Sequence, residues 1–272
     1  MPSATAPSIV LSGVGLTWPD GTAALTGLSG TFGAGRTGLV GLNGSGKSTL
    51  LRLIAGELRP TTGTVTTVGD VARLPQTLTL DVGARVADLL GIGAGLDAVR
   101  AIEAGDVDDR HFDTIGTDWD VEARAAEVLD SVGLPPEALD RNVGELSGGE
   151  AVLVAIAGLQ LRAAPITLLD EPTNNLDRDA RSRLGALVTA WRGALVVVSH
   201  DTSLLELMDE TAELHDGALT VVTGPYSTYR AHVEAQQSAA VQAERSAEQV
   251  LRRQRRPTAA PRRARGRWSR GR

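Results

Sequence analysis

The sequence predicts an α/β protein with an antiparallel β part at its N-terminus and an inserted helical subdomain. Three observations lead to this fold class. A short strand runs through a glycine-rich loop into a helix near residue 47. Two apolar runs, Ile166–Asp170 and Ala194–Val198, are typical of strands buried on both faces of a parallel sheet. Short helical patterns lie between the loop and these two runs, at residues 82–90, 96–104 and 120–132.

Composition narrows the class of protein. The chain has 272 residues, of which 42% are hydrophobic and 22% charged, as in ordinary globular proteins. The sequence has no cysteine and four histidines, which excludes disulfides and thiol nucleophiles and argues against a dedicated zinc site. No apolar run approaches the roughly 20 residues that cross a bilayer, and no signal peptide is recognisable. We therefore expect a cytoplasmic protein without direct membrane insertion.

The N-terminal β part is predicted from two segments, residues 9–18 and Ala23–Phe32. Both are short, β-branched or alternating, and each is followed by Gly or Pro. A third predicted strand, residues 37–40, leads into the glycine-rich loop, and residues 48–55 form a helical stretch after it. This order of strand, loop and helix is the context in which a phosphate-binding loop is expected.

The loop matches the phosphate-binding pattern G-x-x-x-x-G-K-[ST]. Its glycines let successive backbone N–H groups point at a phosphate, and the following helix adds partial positive charge. Lys47 is the only lysine, whereas every other basic residue is arginine, which indicates a position that needs a compact ammonium. The predicted nucleotide-binding residues of the loop are Gly41, Asn43, Gly44, Ser45, Gly46, Lys47, Ser48 and Thr49.

Acidic residues follow the first buried strand. Asp170 ends Ile166–Asp170, where a carboxylate can hold Mg²⁺ together with the Ser48 hydroxyl. Glu171 is placed to orient or deprotonate an attacking water. His200 follows Ala194–Val198 and is predicted to reach the γ-phosphate end of the nucleotide. These residues predict a P-loop NTPase core.

A second glycine-containing stretch precedes the apolar helical segment at residues 151–161. It consists of Ser147, Gly148, Gly149 and Glu150. A Ser-Gly-Gly sequence that opens a helix can bind an anion. By itself it is better explained as an ordinary helix start capped by Ser147.

Taken together, these residues resemble the ATP-binding cassette ATPases over residues 8–224. Residues 41–48 correspond to the Walker A loop and Ile166–Asp170 to the Walker B strand, with Glu171 as the catalytic glutamate. Gln76, after Val71–Leu74, corresponds to the Q-loop glutamine. The resemblance implies that Gln76, Ser48 and Asp170 are the metal ligands. The resemblance implies that the chain binds ATP and Mg²⁺ and hydrolyses ATP.

The resemblance also assigns roles to residues outside the P-loop. His200 corresponds to the switch histidine and Trp18 to the aromatic residue that stacks on adenine. Residues 146–150, LSGGE, correspond to the signature loop, which in this family contacts ATP bound to a second cassette. Lys47 and Ser147 of one molecule are therefore expected to serve different nucleotides, and the implied partner is a second cassette, either another copy or another chain.

A narrower resemblance points to the ABC-F proteins, which are soluble and mostly act on the ribosome. Residues 171–177, EPTNNLD, are similar to their EPTNHLD stretch, with Asn175 where histidine is usual, and residues 225–230 resemble the start of their interdomain linker. We expect a cassette at 1–224 with a helical subdomain at about 77–163, a helical linker start at 225–256 and a disordered basic tail at 257–272. ABC-F proteins carry two cassettes, whereas this chain has one.

Charge is distributed unevenly along the chain. Residues 252–272 contain ten arginines and no acid, whereas residues 77–145 contain five arginines and sixteen acids. An acidic surface is poorly suited to RNA phosphates, so any ribosome contact is expected from the C-terminal helix and tail. Phe112 and Trp119, in the acidic segment, are expected in the core.

Three uses of such an ATPase remain open. The first is an ABC-F-like role in translation or antibiotic resistance, favoured by residues 171–177 and 225–230. The second is the ATPase subunit of a membrane transporter, since a single cassette of this length is typical of those subunits. The third is a truncated nucleotide-binding half, which is favoured by the presence of one cassette but not by its intact catalytic residues.

Overall fold

The computed structural model describes residues 6–76 and 81–254 of the chain. Two compact units make up the chain, residues 1–229 and residues 230–272. The first unit contains the strands of the described residues and most of the helices. The second unit begins inside the last described helix.

The strands of the described residues form two sheets. They are β1 (Ser8–Thr17), β2 (Ala23–Phe32), β3 (Gly35–Val40), β4 (Thr62–Val68), β5 (Val71–Leu74), β6 (Ile166–Asp170), β7 (Ala194–Val198), β8 (Glu210–His215) and β9 (Ala218–Thr223). The first sheet is antiparallel, with strand order β2-β1-β4. The second has the order β5-β6-β7-β3-β8-β9 and is parallel except for the β8–β9 pair. This architecture confirms the predicted fold class.

The centre of the second sheet is apolar because its strands are covered on both faces. Every residue of β6 and β7 is buried. Leu168 and Val197 are fully buried, and each apolar side chain of this kind stabilises the fold by about 1.5–3 kcal/mol. The uninterrupted apolar runs in the sequence therefore have a direct physical cause.

Helices α1 to α8 follow β3 and precede β8 along the described chain. They are α1 (Lys47–Ile54), α2 (Val86–Leu89), α3 (Gly93–Glu103), α4 (Asp109–Ile115), α5 (Val121–Ser131), α6 (Gly148–Leu161), α7 (Arg178–Thr189) and α8 (Thr202–Leu205). Two 3-10 turns, Pro136–Asp140 and Val143–Glu145, precede α6. Helices α2 to α5 lie between β5 and α6 in sequence, where the helical subdomain is predicted.

Two expectations for this subdomain are wrong. The sequence pattern at residues 82–90 predicts one helix, but only α2, four residues long, forms there, because residues 82–84 form a turn and a bend. Phe112 and Trp119 are not core residues, since they are 41% and 49% exposed. Their rings pack on each other instead, with centroids 5.9 Å apart.

The last helix, α9 (Tyr226–Gln254), lies within residues 225–256, where a helical linker start is predicted. Within the second unit, Arg230 and Glu234 form an ion pair of 2.9 Å one helical turn apart. The tail predicted at 257–272 lies outside the described residues. No helix within residues 6–76 and 81–254 has both the length and the apolar character that crossing a membrane requires.

Candidate nucleotide-binding site

The site lies at one edge of the parallel sheet. Leu39 of β3 and Asp170 of β6 both pair with Val198 of β7. The loops that follow these three strands therefore leave the sheet at the same level, where ligands bind in open α/β sheets. These three connections are the glycine-rich loop after β3, the turn that contains Glu171 after β6 and the segment that contains His200 after β7.

Lys47, at the start of α1, is nearly buried, with 7% of its surface exposed. Its Nζ donates to the carbonyls of Gly41 and Leu42, at 2.9 and 3.0 Å. Burial lowers the pKa of Lys47, although the carboxylates of Glu171 and Asp170 oppose this shift. The ammonium is thus held inside the curl of its own loop, next to two acidic groups and neutral carbonyls.

The loop that surrounds Lys47 fits a phosphate group. Gly44 and Gly46 have φ values of 81° and 98°, which glycine adopts without strain and which direct the backbone around the loop. A Cβ on Gly46 would lie 2.7 Å from Leu25 Cδ2, so a side chain there would clash. The buried Ser45 hydroxyl has no hydrogen-bond partner in the described part of the chain. A buried hydroxyl in this state is available to a ligand oxygen or to water.

Asp170 is 2% exposed at the end of β6. The Ser48 hydroxyl donates to its Oδ1 at 3.0 Å, which joins two of the three predicted metal ligands. Burial raises the pKa of Asp170, whereas the hydrogen bond from Ser48 and the charges of Arg73 and Lys47 oppose this. A hydroxyl and a carboxylate are suitable Mg²⁺ ligands that leave further positions for phosphate oxygens and water. Among the described residues, no cluster of three acidic or histidine side chains gathers to hold a metal alone.

Glu171 adopts a left-handed backbone conformation, with φ at 50°. Its backbone N–H donates to the Val198 carbonyl at 2.8 Å, which ties this turn to the end of β7. Its Oε1 lies 3.2 Å from His200 Nε2. Burial raises the pKa of Glu171, opposed chiefly by His200. Strained backbone of this kind persists where the surrounding structure enforces it, often at functional sites.

A cavity of about 940 Å³ joins these groups. Of the residues predicted from the sequence, it is lined by Asn43, Gly44, Gly46, Lys47, Ser48, Thr49, Gln76, Glu171 and His200. Gly41 and Ser45 belong to the same loop but do not line it, and Asp170 does not line it either but lies behind Ser48. Its volume is in the range of small-molecule sites.

No site role was predicted for the other side of the cavity, although residues 173–175 belong to the EPTNNLD stretch. There the lining includes Thr173, Asn174, Asn175, Arg181, Asp201, Thr202 and Ser203. Arg181 forms an ion pair of 3.4 Å with Asp201, and Asp201 caps α8 through Ser203 N–H. The signal available in the sequence was position, because these residues follow the same two buried strands as Glu171 and His200.

The structure does not bring the signature loop or Trp18 to the cavity. None of the described lining residues belongs to the stretch Ser147, Gly148, Gly149 and Glu150. Ser147 caps α6, since its hydroxyl accepts from Glu150 N–H at 3.3 Å and Glu150 accepts from Ser147 N–H at 2.8 Å. Trp18 is partly buried against the apolar core of the first unit.

The comparisons with known proteins agree on one family. The family model described as "ABC transporter" matches residues 25–174. The tylosin resistance ATP-binding protein TlrC of Streptomyces fradiae is 34% identical over 234 residues, covering 77% of this chain and 40% of that protein. The energy-dependent translational throttle protein EttA of Mycobacterium tuberculosis is 31% identical over 205 residues, covering 68% of this chain and 36% of that protein. The chain therefore spans less than half the length of these curated relatives.

A solved structure shows the same fold. The dimeric structure of a bacterial ABC transporter cassette has a TM-score of 0.61 with this chain and 22% identity. The match covers 79% of this chain and 98% of that one. At this identity the likeness concerns the fold alone.

Proposed function

The chain belongs to the ABC transporter family of ATPases, and from this premise we propose that it hydrolyses ATP with Mg²⁺ in a pair of cassettes and acts in translation. The observation that carries the proposal is that Lys47, Ser48, Glu171 and His200 line one cavity, and that Ser48 is hydrogen-bonded to the buried Asp170 behind it. In this proposal residues 1–224 are the cassette and residues 225–256 begin a linker.

Each residue has a distinct part in the proposed reaction. Lys47 leaves its loop carbonyls to contact the β- and γ-phosphates, and the Ser45 hydroxyl gains the partner that it lacks. Ser48 and Asp170 hold Mg²⁺ with Gln76 nearby; the bound ion would offset charge on the β- and γ-oxygens. Glu171 orients and deprotonates water, and His200 steadies both Glu171 and the γ-phosphate.

The second cassette supplies the missing contact to the nucleotide. The signature loop, residues 146–150, is absent from the described lining of this chain's own cavity. The Ser147 hydroxyl accepts a hydrogen bond from Glu150 N–H and therefore keeps its own proton for donation to a phosphate. We therefore place this loop against ATP held by the P-loop of a second copy, with Trp18 stacking on adenine as an expectation from the family.

A role on the ribosome, in the cytoplasm, is the proposed use of this ATPase. The names of TlrC and EttA refer to antibiotic resistance and to translation. The helical subdomain is a poor RNA-binding surface because each arginine between residues 81 and 145 lies within 4.0 Å of an acid. The C-terminal segment, with its many arginines, is the proposed contact.

Ribosome co-pelleting of the Glu171→Gln variant tests this role. We expect more pelleting with ATP than with ADP, because the variant retains ATP without hydrolysing it. Lys47→Ala is the control, since it lacks the phosphate contact and should show no nucleotide dependence. ATP binding without pelleting in either nucleotide would overturn the ribosomal role and would favour a transporter subunit instead.

A further inference from the structure

Arg73 lies on β5 beside the proposed magnesium site and belongs to no motif identified in the sequence. Its side chain is 13% exposed. Its Nε and Nη2 donate to the two oxygens of Glu57 at 2.6 and 2.8 Å, which is a bidentate pairing. Glu57 follows α1, so this contact connects the helix after the P-loop to the strand before Gln76.

The remaining end of the guanidinium faces Asp170. Arg73 Nη1 lies 4.0 Å from Asp170 Oδ2, whereas Asp170 Oδ1 accepts from Ser48. A separation of 4.0 Å is too long for a hydrogen bond but short enough for a charge interaction in a buried site. The two oxygens of Asp170 are therefore used differently: one is fixed by Ser48, and the other is close to a cation that does not bind it directly.

We propose that Glu57 and Arg73 are positioning residues that keep Asp170 Oδ2 open to Mg²⁺. Glu57 holds the guanidinium about one ångström short of a direct ion pair with Asp170, since such pairs form at about 2.7–2.9 Å. In this place Arg73 offsets part of the buried carboxylate's charge without covering the oxygen. The inference rests on the proposed function only in taking Asp170 as a metal ligand.

Release of Arg73 should change metal binding in a defined direction. Without the negative charge of Glu57, the guanidinium closes on Asp170 and competes with Mg²⁺ for Oδ2. Glu57→Gln should therefore weaken Mg²⁺ binding, so that nucleotide binding needs a higher Mg²⁺ concentration. Glu57 also pairs with Arg52, at 3.7 Å, but in this proposal it affects Asp170 through Arg73. Arg73→Gln removes the competitor, so the double variant should bind Mg²⁺ as Arg73→Gln does.

The test is a titration of Mg²⁺ at a fixed concentration of a fluorescent ATP analogue, with bound nucleotide as the readout. We expect Glu57→Gln to raise the Mg²⁺ concentration at half-saturation by roughly tenfold, the lower limit for outer-shell residues at metal sites. Nucleotide affinity without metal should not change. Glu122→Gln is the matched control: Glu122 pairs with Arg100 at 2.6 Å and is 41% exposed, against 40% for Glu57.

The outcomes separate this inference from the proposed function. A wild-type chain that binds nucleotide with Mg²⁺, beside a Glu57→Gln variant with the same half-saturation, would overturn the positioning role alone. A double variant as weak as Glu57→Gln would overturn it too. Absence of Mg²⁺-dependent nucleotide binding in the wild type would overturn both proposals. Arg73→Lys, which keeps the charge but loses the bidentate pairing, should weaken Mg²⁺ binding as Glu57→Gln does.

Discussion

Replacement of Glu171 by glutamine isolates the proposed chemical step from nucleotide binding. The amide has nearly the same size and keeps a hydrogen-bonding atom 3.2 Å from His200, but it cannot accept a proton from water. The negative charge near Lys47 is lost as well, which leaves the P-loop with at least its present attraction for phosphate. We therefore expect slower turnover with retained ATP affinity.

The expected magnitude follows from the role of a general base. Glu171 is largely buried, with 11% of its side chain exposed, so bulk water does not readily replace it. Loss of a positioned base slows a reaction by on the order of 10²–10⁴. At about 1.4 kcal/mol for each factor of ten, the barrier rises by about 3–5 kcal/mol.

Phosphate release measured beside binding of a fluorescent ATP analogue gives both quantities. Glu210→Gln is a suitable control, because Glu210 is a partly buried carboxylate on β8 that accepts from Thr37 and does not line the cavity. The control should hydrolyse ATP at close to the wild-type rate. Unchanged turnover in Glu171→Gln would refute the assignment, and so would a loss of turnover explained by lost ATP binding.

Two further predictions concern the loop and the sheet. Gly46→Ala forces φ near 98° on a residue with a Cβ, so it should destabilise the fold by about 1–3 kcal/mol and abolish most nucleotide binding. Gly95→Ala, in open space on α3, is the control and should have neither effect. Thermal unfolding measures the stability of both variants, and nucleotide titration measures their binding. The hydrogen bond from Arg36 lowers the pKa of Asp209 in the folded state. The contribution of ionised Asp209 to folding stability is therefore complete above the ordinary carboxyl pKa of about 3.8, and it is lost as pH falls through the lower folded-state pKa. Asp209→Asn should therefore cost about 1 kcal/mol at pH 7 and less below pH 3.8 in urea unfolding; an equal loss at both pH values would contradict this.

The sheet centre and the phosphate loop were predictable because they have strong local signals. Strands β2, β5, β6 and β7 have the predicted bounds. For β6 and β7 the cause is an apolar run that is buried on both faces of the sheet. The P-loop was predictable because glycine spacing, the unique Lys47 and the following helix agree. The sequence order also placed Asp170, Glu171 and His200 near it, since parallel strands end at one edge.

Other elements have weak local signals and depend on tertiary contacts. Strand β9, at the edge of its sheet, has no buried residue, and α7 is strongly charged, so neither shows a clear apolar pattern. Phe112 and Trp119 were expected in the core because aromatic residues are commonly buried, but here each covers the other at the surface. The Arg73–Glu57 contact joins residues on two separate elements, and no motif predicts such a pair.

The most direct test of the paired-cassette account is sedimentation velocity of the Glu171→Gln chain with and without ATP and Mg²⁺. The account predicts a monomer without nucleotide and a dimer with it, because the signature loop of each copy closes on ATP held by the other. Ser147→Arg in the same background should bind ATP with unchanged affinity yet remain monomeric. A chain that stays monomeric with ATP bound, while the wild type hydrolyses ATP at full rate, would contradict the account.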